Sequence, residues 1–210
     1  AELVAVTRGN AVTLIAGTGH SRVLTYYNVN DVDFVYPFPY RDRLGRALLL
    51  ATHDGVLRGL TWAGQEVWQR AIGDGPLTIV RPADDDFLIG TADDRVHLYS
   101  VREDELLWTL EEVGGVQDIY WGNLDGGGAR DVAIGNAAGN VLLLTSDRRE
   151  WDRLNLGSGI FRLAGLRVGG GDHTQLVTLT QNGVVQLFEA KPNRPPLLVA
   201  PQTEVGPGQY

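Results

Sequence analysis

Short apolar stretches alternate with polar turns along the whole chain, and five of these units align with one another. Each unit has a four-residue apolar-rich run, a Thr or Asn, a polar turn and a second strand-like run. The five segments begin at Leu3, Leu48, Phe87, Val132 and Leu176, and their aligned Thr or Asn residues are Thr7, Thr52, Thr91, Asn136 and Thr180. Successive spacings are therefore 45, 39, 45 and 44 residues. A nearly fixed period without helical periodicity indicates a β repeat architecture.

The polar residues between the two runs of each unit are of the kind that make tight turns. They are Arg8-Gly9-Asn10, His53-Asp54-Gly55, Ala92-Asp93-Asp94, Ala137-Ala138-Gly139 and Gln181-Asn182-Gly183. Gly, Asn and Asp tolerate the positive φ angles that tight hairpin turns require. Each segment is therefore predicted to be a β-hairpin.

Two more short strands complete each repeat. A polar loop leads from the hairpin to a third strand, and a Gly-rich turn then leads to an apolar strand before the next hairpin. Four strands in roughly 42 residues is the size of one propeller blade. A single four-stranded meander cannot bury both of its faces, whereas blades stacked around an axis can. The sequence predicts an all-β chain, and a β-propeller of about five four-stranded blades over other all-β folds.

The repeat also sets the domain boundaries. One propeller is predicted over residues 1–200, with blades at about 1–29, 30–73, 74–113, 114–156 and 157–200, followed by a tail at 201–210. The first repeat lacks its innermost strand, and Gln202–Val205 lies where the next such strand would begin. We therefore expect the first blade to be completed by the C-terminal tail or by a partner chain.

Composition excludes several classes of partner. The net charge of −8 opposes binding to nucleic acid, which needs a basic surface, and opposes binding to anionic membranes. No apolar run approaches the roughly 18 residues that a membrane helix needs. The absence of cysteine excludes disulfides and thiolate metal sites. The chain begins at Ala1 instead of Met, which indicates either a cleaved signal or an excised segment, and we expect an exported protein.

Two propeller families are similar to parts of this sequence. Trp68, Trp108 and Trp151 close their repeats at the position of the terminal Trp in quinoprotein-like (PQQ-type) propeller repeats, and this resemblance extends over most of the chain. The run from Gly122 to Asp131, followed by Val-Ala-Ile-Gly, resembles the FG-GAP repeat of integrin-α-like propellers. Members of both families are mostly extracytoplasmic, and many bind proteins or glycans. The resemblance therefore implies an extracytoplasmic binding module.

The FG-GAP resemblance implies a Ca²⁺ loop. In that pattern Asn123, Asp125 and Asp131 would supply side-chain oxygens and Ala129 its carbonyl, whereas the fifth loop position is Gly127, which has no side chain. Calcium needs several oxygens around a tight loop, so this loss should weaken binding. The alternative is a Gly-rich turn in which the Asx side chains cap their own backbone. No other cofactor is predicted.

Loop aromatics are the candidates for a partner-facing surface. The residues concerned are Tyr36, Phe38, Tyr40, Trp62 and Trp121. Exposed aromatic rings can anchor protein interfaces or stack on sugars. The alternative is that these rings pack between blades.

The sequence contains no catalytic motif in its required context. Asp33 and Asp118, with Arg162, lie on predicted inner strands, where glycosidases with five blades carry their carboxylates. A glycoside hydrolase would need two such carboxylates at a set separation. We predict a non-catalytic protein-interaction or scaffolding propeller in a larger extracytoplasmic assembly. A lectin-like, carbohydrate-binding propeller is the alternative, and a glycoside hydrolase comes third.

Overall fold

The computed structural model describes most of the chain, and every regular element in the described part is a β-strand. The described residues are 3–7, 11–15, 21–25, 32–39, 46–61, 64–111, 113–167, 174–191, 194–198 and 203–204. Side chains are described over 32–36, 48–61, 64–111, 113–167 and 174–189. A search of this described part found no helix capable of spanning a membrane.

The strands group into two compact units. The first unit comprises Ala1–Asp93 and His97–Trp108, and the second comprises Asp94–Val96 and Thr109–Tyr210. The strands up to Leu110 are β1 (Leu3–Thr7), β2 (Ala11–Ile15), β3 (Ser21–Thr25), β4 (Val32–Pro39), β5 (Arg46–Thr52), β6 (Val56–Thr61), β7 (Glu66–Ala71), β8 (Leu77–Ala83), β9 (Asp86–Thr91), β10 (Val96–Ser100) and β11 (Glu105–Leu110). The strands that follow are β12 (Val116–Gly122), β13 (Asp131–Asn136), β14 (Asn140–Leu144), β15 (Glu150–Asn155), β16 (Ile160–Arg167), β17 (Thr174–Thr180), β18 (Val184–Lys191), β19 (Arg194–Leu198) and β20 (Thr203–Glu204).

Each sheet is a meander in which consecutive strands are neighbours. Sheet 1 is β1-β2-β3, sheet 2 is β4-β5-β6-β7, sheet 3 is β8-β9-β10-β11, sheet 4 is β12-β13-β14-β15, and sheet 5 is β16-β17-β18-β19 with β20 also on β18. In the described part the architecture is all-β, with three antiparallel sheets of four strands, one of three and one of five. Meanders of this kind need only short connections, which is why polar turn residues recur so often along the chain.

The hairpin at the centre of each repeat has the same backbone geometry wherever it is described. The third and last turn residue has positive φ in all four cases: Gly55 at 82°, Asp94 at 63°, Gly139 at 86° and Gly183 at 83°. The amide of Gly55 donates to the Thr52 carbonyl at 3.0 Å, and that of Gly183 donates to the Thr180 carbonyl at 2.9 Å. The Thr180 hydroxyl also donates to the Asn182 side chain at 2.5 Å. The predicted positive-φ turns are thus confirmed in these four hairpins, and the aligned Thr caps the turn.

The first strand of sheets 2 to 5 contains a β-bulge at one repeated position. Register shifts occur at Val32/Phe34, Leu77/Ile79, Val116/Asp118 and Ile160/Arg162. The bulged residues, which are Asp33, Thr78, Gln117 and Phe161, are all exposed. A bulge bends its strand and redirects the side chains that follow it. The first strands of sheets 2 to 5 therefore share a bulge at the equivalent position.

The core of the first unit lies between sheets 2 and 3. Leu49 and Leu57 of sheet 2 pack with Val80, Phe87 and other buried residues of sheet 3. Trp68 packs against this core, and its ring occupies the space above Gly59, where any Cβ would overlap its Nε1. Burial of apolar side chains from both sheets is the main stabilising term in such stacking.

The core of the second unit lies between sheets 4 and 5 in the same manner. Val141 and Leu143 from sheet 4 pack with Ile160, Leu163 and Leu176 from sheet 5. Trp151 packs against this cluster, as Trp68 does in the first unit. The sequence pattern of fully apolar runs such as 141–144 is therefore explained by strands that are covered on both faces.

The C-terminal stretch pairs within its own sheet. Strand β20 pairs with the beginning of β18, where Thr203 lies opposite Val185 and Glu204 opposite Val184. Strand β19 pairs with β18 from Phe188 onward. We expected this stretch to complete the first blade or leave that role to a partner, but its two described residues lie on β18 instead. The reason is that β19 pairs only from Phe188 onward, which leaves backbone groups at the start of β18 open to another strand.

Candidate binding cleft in the second unit

The Gly-rich loop between β12 and β13 is held by its own polar side chains. The Asn123 side-chain oxygen accepts the Gly126 amide at 2.9 Å, and Asp125 Oδ1 accepts the Gly127 amide at 2.6 Å. Asp131 is 1% exposed, and its Oδ2 accepts the amides of Leu124 at 2.9 Å and Asp125 at 3.0 Å. Burial raises the pKa of the Asp131 carboxyl, and the backbone hydrogen bonds oppose that shift. These contacts form a self-capped turn, which is the alternative that the sequence left open.

The same contacts bear on the Ca²⁺ expectation. Calcium takes six to eight oxygens, but Asn123, Asp125 and Asp131 each already hold loop amides and Gly127 adds no side chain. Within the described residues, no group of three or more His, Asp or Glu side chains is placed to hold a metal ion. In this conformation the side-chain oxygens of the loop hold amides, which favours the self-capped turn over the Ca²⁺ loop that the resemblance implies.

An open cleft lies where this loop meets the ends of β12 and β16. Its volume is about 440 Å³. The residues that line it are Tyr120, Gly122, Asn123, Gly128, Arg130, Gly165, Arg167 and Thr174. The Thr174 amide donates to the Asn123 carbonyl at 2.7 Å, which joins the beginning of β17 to the end of β12 beneath the cleft. Two lining residues of the cleft are therefore joined to each other by a backbone hydrogen bond.

Glycine makes room for the Tyr120 ring in this floor. A Cβ at Gly122 or at Gly165 would overlap the Tyr120 hydroxyl, and a Cβ at Gly165 would also overlap the methyl group of Thr174. Tyr120 lies on β12 and packs against the second-unit core. The ring is thus held between two glycines, with its hydroxyl end at the cleft.

Two arginines give the cleft a positive charge. Arg130 precedes β13 directly and Arg167 ends β16, where it pairs in register with Thr174. Both arginines are exposed, whereas Thr174 is 6% exposed. Among the residues that the structure describes, no carboxylate lines the cleft. The described lining thus contains two arginines, on a chain with a net charge of −8.

The structure describes the side chains of two of the five predicted loop aromatics, Tyr36 and Trp121. Tyr36 is half-buried, its ring lies 6.0 Å from that of Phe87, and its hydroxyl donates to the Val80 carbonyl at 2.6 Å. This is packing between sheets 2 and 3, the alternative left open by the sequence. Trp121 is half-buried on β12. Phe38 lies in β4 but its side chain is not described, and Tyr40 and Trp62 lie outside the described residues.

The predicted carboxylates also have distinct surroundings. Asp118 is fully buried, and its two oxygens accept the amides of Ile119 at 2.9 Å and Leu163 at 2.8 Å. It therefore joins β12 to β16, and its oxygens do not face a substrate site. Asp33 lies 3.4 Å from His53 Nδ1, and Arg162 is exposed on β16.

Half of the eight lining residues lie in the run from Gly122 to Asp131 that carries the FG-GAP resemblance. The other four, Tyr120, Gly165, Arg167 and Thr174, were not singled out from the sequence. One signal was present, because the fifth residue of the first strand is Tyr36 in sheet 2 and Tyr120 in sheet 4. Both tyrosines reach the neighbouring sheet of their own unit. Tyrosine at this position of the repeat therefore indicates a side chain that contacts the neighbouring sheet.

No protein-family model and no curated protein matches the sequence. Solved structures do match it. BBS1N, crystallised in complex with ARL6DN, is 15% identical with a TM-score of 0.70, over 89% of this chain and 60% of that chain. Sqt1 from Chaetomium thermophilum is 17% identical with a TM-score of 0.69, over 90% and 53%. The Dos1 propeller is 15% identical with a TM-score of 0.71, over 93% and 56%.

All three are β-propeller proteins, and this chain spans between 53% and 60% of their length. At such low identity the likeness concerns the fold alone. The predicted all-β propeller fold is confirmed, and five sheets agree roughly with the predicted blade count. This chain is therefore a β-propeller protein.

Proposed function

We propose that this chain is a non-catalytic, protein-binding propeller that acts within a larger extracytoplasmic assembly. The observation that carries the proposal is the open cleft of about 440 Å³, which is lined by Tyr120 and by two exposed arginines. Arginine and tyrosine are enriched where proteins bind one another, because they combine apolar contact with strong hydrogen bonding.

Two further observations support binding instead of catalysis. Asp118, one of the inner-strand carboxylates considered for hydrolysis, is buried with both oxygens bonded to backbone amides. A glycosidase needs two carboxylates that reach the substrate, so Asp118 is unsuited to either role. The similar structure of BBS1N was solved with a protein, ARL6DN, bound to it, which supports a protein partner here by analogy of fold.

The PQQ-type and FG-GAP resemblances support the extracytoplasmic part of the proposal. Both families work mostly outside the cytoplasm, and the three Trp residues that suggested the first family include Trp68 and Trp151, which pack against the two cores. Fractionation of the source cells with an antibody to this protein tests location. Recovery in the cytoplasmic fraction would refute the extracytoplasmic assignment without affecting the binding proposal.

The binding proposal is tested by quantitative affinity capture. The chain is immobilised, exposed to an extract of its source organism, and compared with a variant that carries Arg130→Gln and Arg167→Gln. We expect at least one protein to be enriched on the unmodified chain. A glycan array run in parallel distinguishes protein binding from the lectin-like alternative. Glycan binding without a captured protein would contradict the proposal and favour a carbohydrate-binding propeller.

A further inference from the structure

We infer that the far face of sheet 5, which is the face turned away from sheet 4, is a docking surface for a β-propeller blade of a partner protein. This inference rests on the proposed protein-binding function and adds a second surface, separate from the cleft, together with the kind of partner that fits it. Three observations support it: the equivalent face is covered in sheets 2 and 4, the far face is aliphatic, and it is incompletely buried.

The repeat places one face of a sheet against the sheet that follows it. In sheet 2, Leu49 and Leu57 are fully buried in a cluster with residues of sheet 3. Ala133 and Val141 occupy the equivalent positions of sheet 4, and they are fully buried in a cluster with residues of sheet 5. The same face of the repeat therefore packs on the following sheet in both units.

In sheet 5 this face presents aliphatic side chains. The two equivalent positions are Val177 and Val185. Val177 pairs in register with Leu187, and Leu179 pairs with Val185. Ala164 of β16 pairs with Val177 on the other side. Because paired residues of antiparallel strands lie on the same side of a sheet, these side chains form one contiguous apolar patch.

The far face is less buried than its equivalents. The four patch residues of β17 and β18 are half-buried, and Ala164 is exposed. Leu166, two positions further along the same side of β16, is 46% exposed. In contrast, Leu143, the sheet 4 equivalent of Leu187, is fully buried. Contiguous apolar area that stays accessible to water marks a surface for another protein, since covering it is favourable.

The two contacts between consecutive sheets define what fits this face. Sheet 3 contributes Leu77 and Val80 to the first core, and sheet 5 contributes Ile160 and Leu163 to the second. In both sheets these are the first and fourth residues of the first strand. Ile160 also occupies the space above Gly135, where a Cβ would overlap it. A fitting partner is therefore a blade with apolar residues at the first and fourth positions of its first strand, followed by a hairpin.

The number of sheets favours a blade from a different protein over a second copy of this chain. Propellers typically have about four to eight blades. The described part has five sheets, so a partner can add up to about three, whereas a second copy would raise the total to about ten. This chain also spans only 53% to 60% of the similar propeller proteins, so further blades are compatible with their size.

Cysteine labelling tests whether the far face is accessible, because the chain has no cysteine of its own. Leu187→Cys is compared with Leu143→Cys, its buried equivalent, and with Arg153→Cys at an exposed position. We expect a maleimide to label Leu187→Cys in the folded chain and to label Leu143→Cys only after unfolding in urea. Thermal melts establish that each variant is folded, and Val141→Cys takes the place of Leu143→Cys if the latter is not. Equal protection of Leu187→Cys and the buried control would mean that the chain itself covers this face, which would overturn the inference.

Cross-linking identifies what covers the face. Leu187→Cys carrying a photoreactive group is irradiated in an extract of the source organism, and the cross-linked peptides are sequenced by mass spectrometry. We expect a peptide from a different protein, within a β repeat that has apolar residues three positions apart ahead of a hairpin turn. A cross-link within the same chain, to a second copy, or to a protein without such a repeat would overturn the inference, as would the absence of any cross-link. Mixing isotopically labelled and unlabelled chains separates the first two outcomes.

Val177→Glu distinguishes this inference from the proposed function. A charge buried against an apolar partner is unfavourable, so this variant should lose the cross-linked partner in affinity capture while remaining folded. Gln117→Glu adds the same charge at an exposed position of sheet 4 and should capture that partner as the unmodified chain does. Equal loss in both variants would attribute the effect to net charge and overturn the inference. A partner captured equally by the unmodified chain and Val177→Glu would overturn the far-face assignment and retain protein binding, whereas the absence of any captured protein would overturn the proposed function itself.

Discussion

Asp118 offers the sharpest test of how the second unit is held together. Its carboxylate is fully buried on β12, and Oδ2 accepts the Leu163 amide of β16 at 2.8 Å, while Oδ1 accepts the Ile119 amide at 2.9 Å. We expect Asp118→Ala to destabilise the protein, since two buried amides would lose their acceptor.

The magnitude follows from the contacts. A hydrogen bond to a charged group contributes about 1.5–3 kcal/mol, and a buried donor left without an acceptor costs about 1–3 kcal/mol. The bond within the 118–119 pair is local, so the bond to Leu163 should dominate. Removal of a buried charge offsets part of the loss. We therefore expect Asp118→Ala to lower the free energy of unfolding by about 2–4 kcal/mol, and Asp118→Asn, which retains one acceptor, to lower it by about half as much.

Urea unfolding followed by tryptophan fluorescence and circular dichroism measures this change. Asp33→Ala is the control, because its carboxylate side chain is 31% exposed and its pairing with His53 at 3.4 Å should contribute less than about 1 kcal/mol. If Asp118→Ala unfolded within about 0.5 kcal/mol of the unmodified protein, this bond would not be a significant tie between β12 and β16, and our account of the second unit would be wrong.

Three further predictions concern other parts of the chain. Gly59→Ala should destabilise the first unit by about 1–3 kcal/mol in urea unfolding because its Cβ would overlap the Trp68 ring, whereas Gly75→Ala, with its nearest neighbour at 3.9 Å, should be almost neutral. Burial and nearby acids raise the pKa of Asp86 above 3.8, so its contribution to stability is lost as pH rises from 3.8 through its folded pKa. In Asp86→Asn, the melting temperature should therefore vary less with pH across that range. Melts with Ca²⁺ and with chelator should coincide because the side-chain oxygens of the 123–131 loop already hold amides, and a Ca²⁺-dependent rise would assign a metal site there.

The repeat, the hairpins and the propeller fold were all predictable from the sequence, because they depend on local chemistry. A tight turn needs a residue that tolerates positive φ, so Gly55 and Gly183 recur at one period with a capping Thr before them. Apolar runs of four residues mark strands that are covered on both faces. These features are set by residues that are close together in the sequence, so the sequence alone predicts them.

The candidate site depends on residues that are far apart in the chain. Tyr120 and Gly165 are 45 positions apart, and nothing in either local sequence indicates that the ring needs the glycine. Nor could the sequence show that Asp118 is a buried tie, since its two oxygens are used by an adjacent amide and by one in another sheet. Local pattern therefore determined the blades. The packing of sheet 4 on sheet 5 decided which polar side chains are buried, as Asp118 is, and placed Arg130 and Arg167 at the same cleft. The physical reason is that hydrogen bonding and packing between sheets join residues from different repeats, whereas turn conformation and strand pattern are set within each repeat.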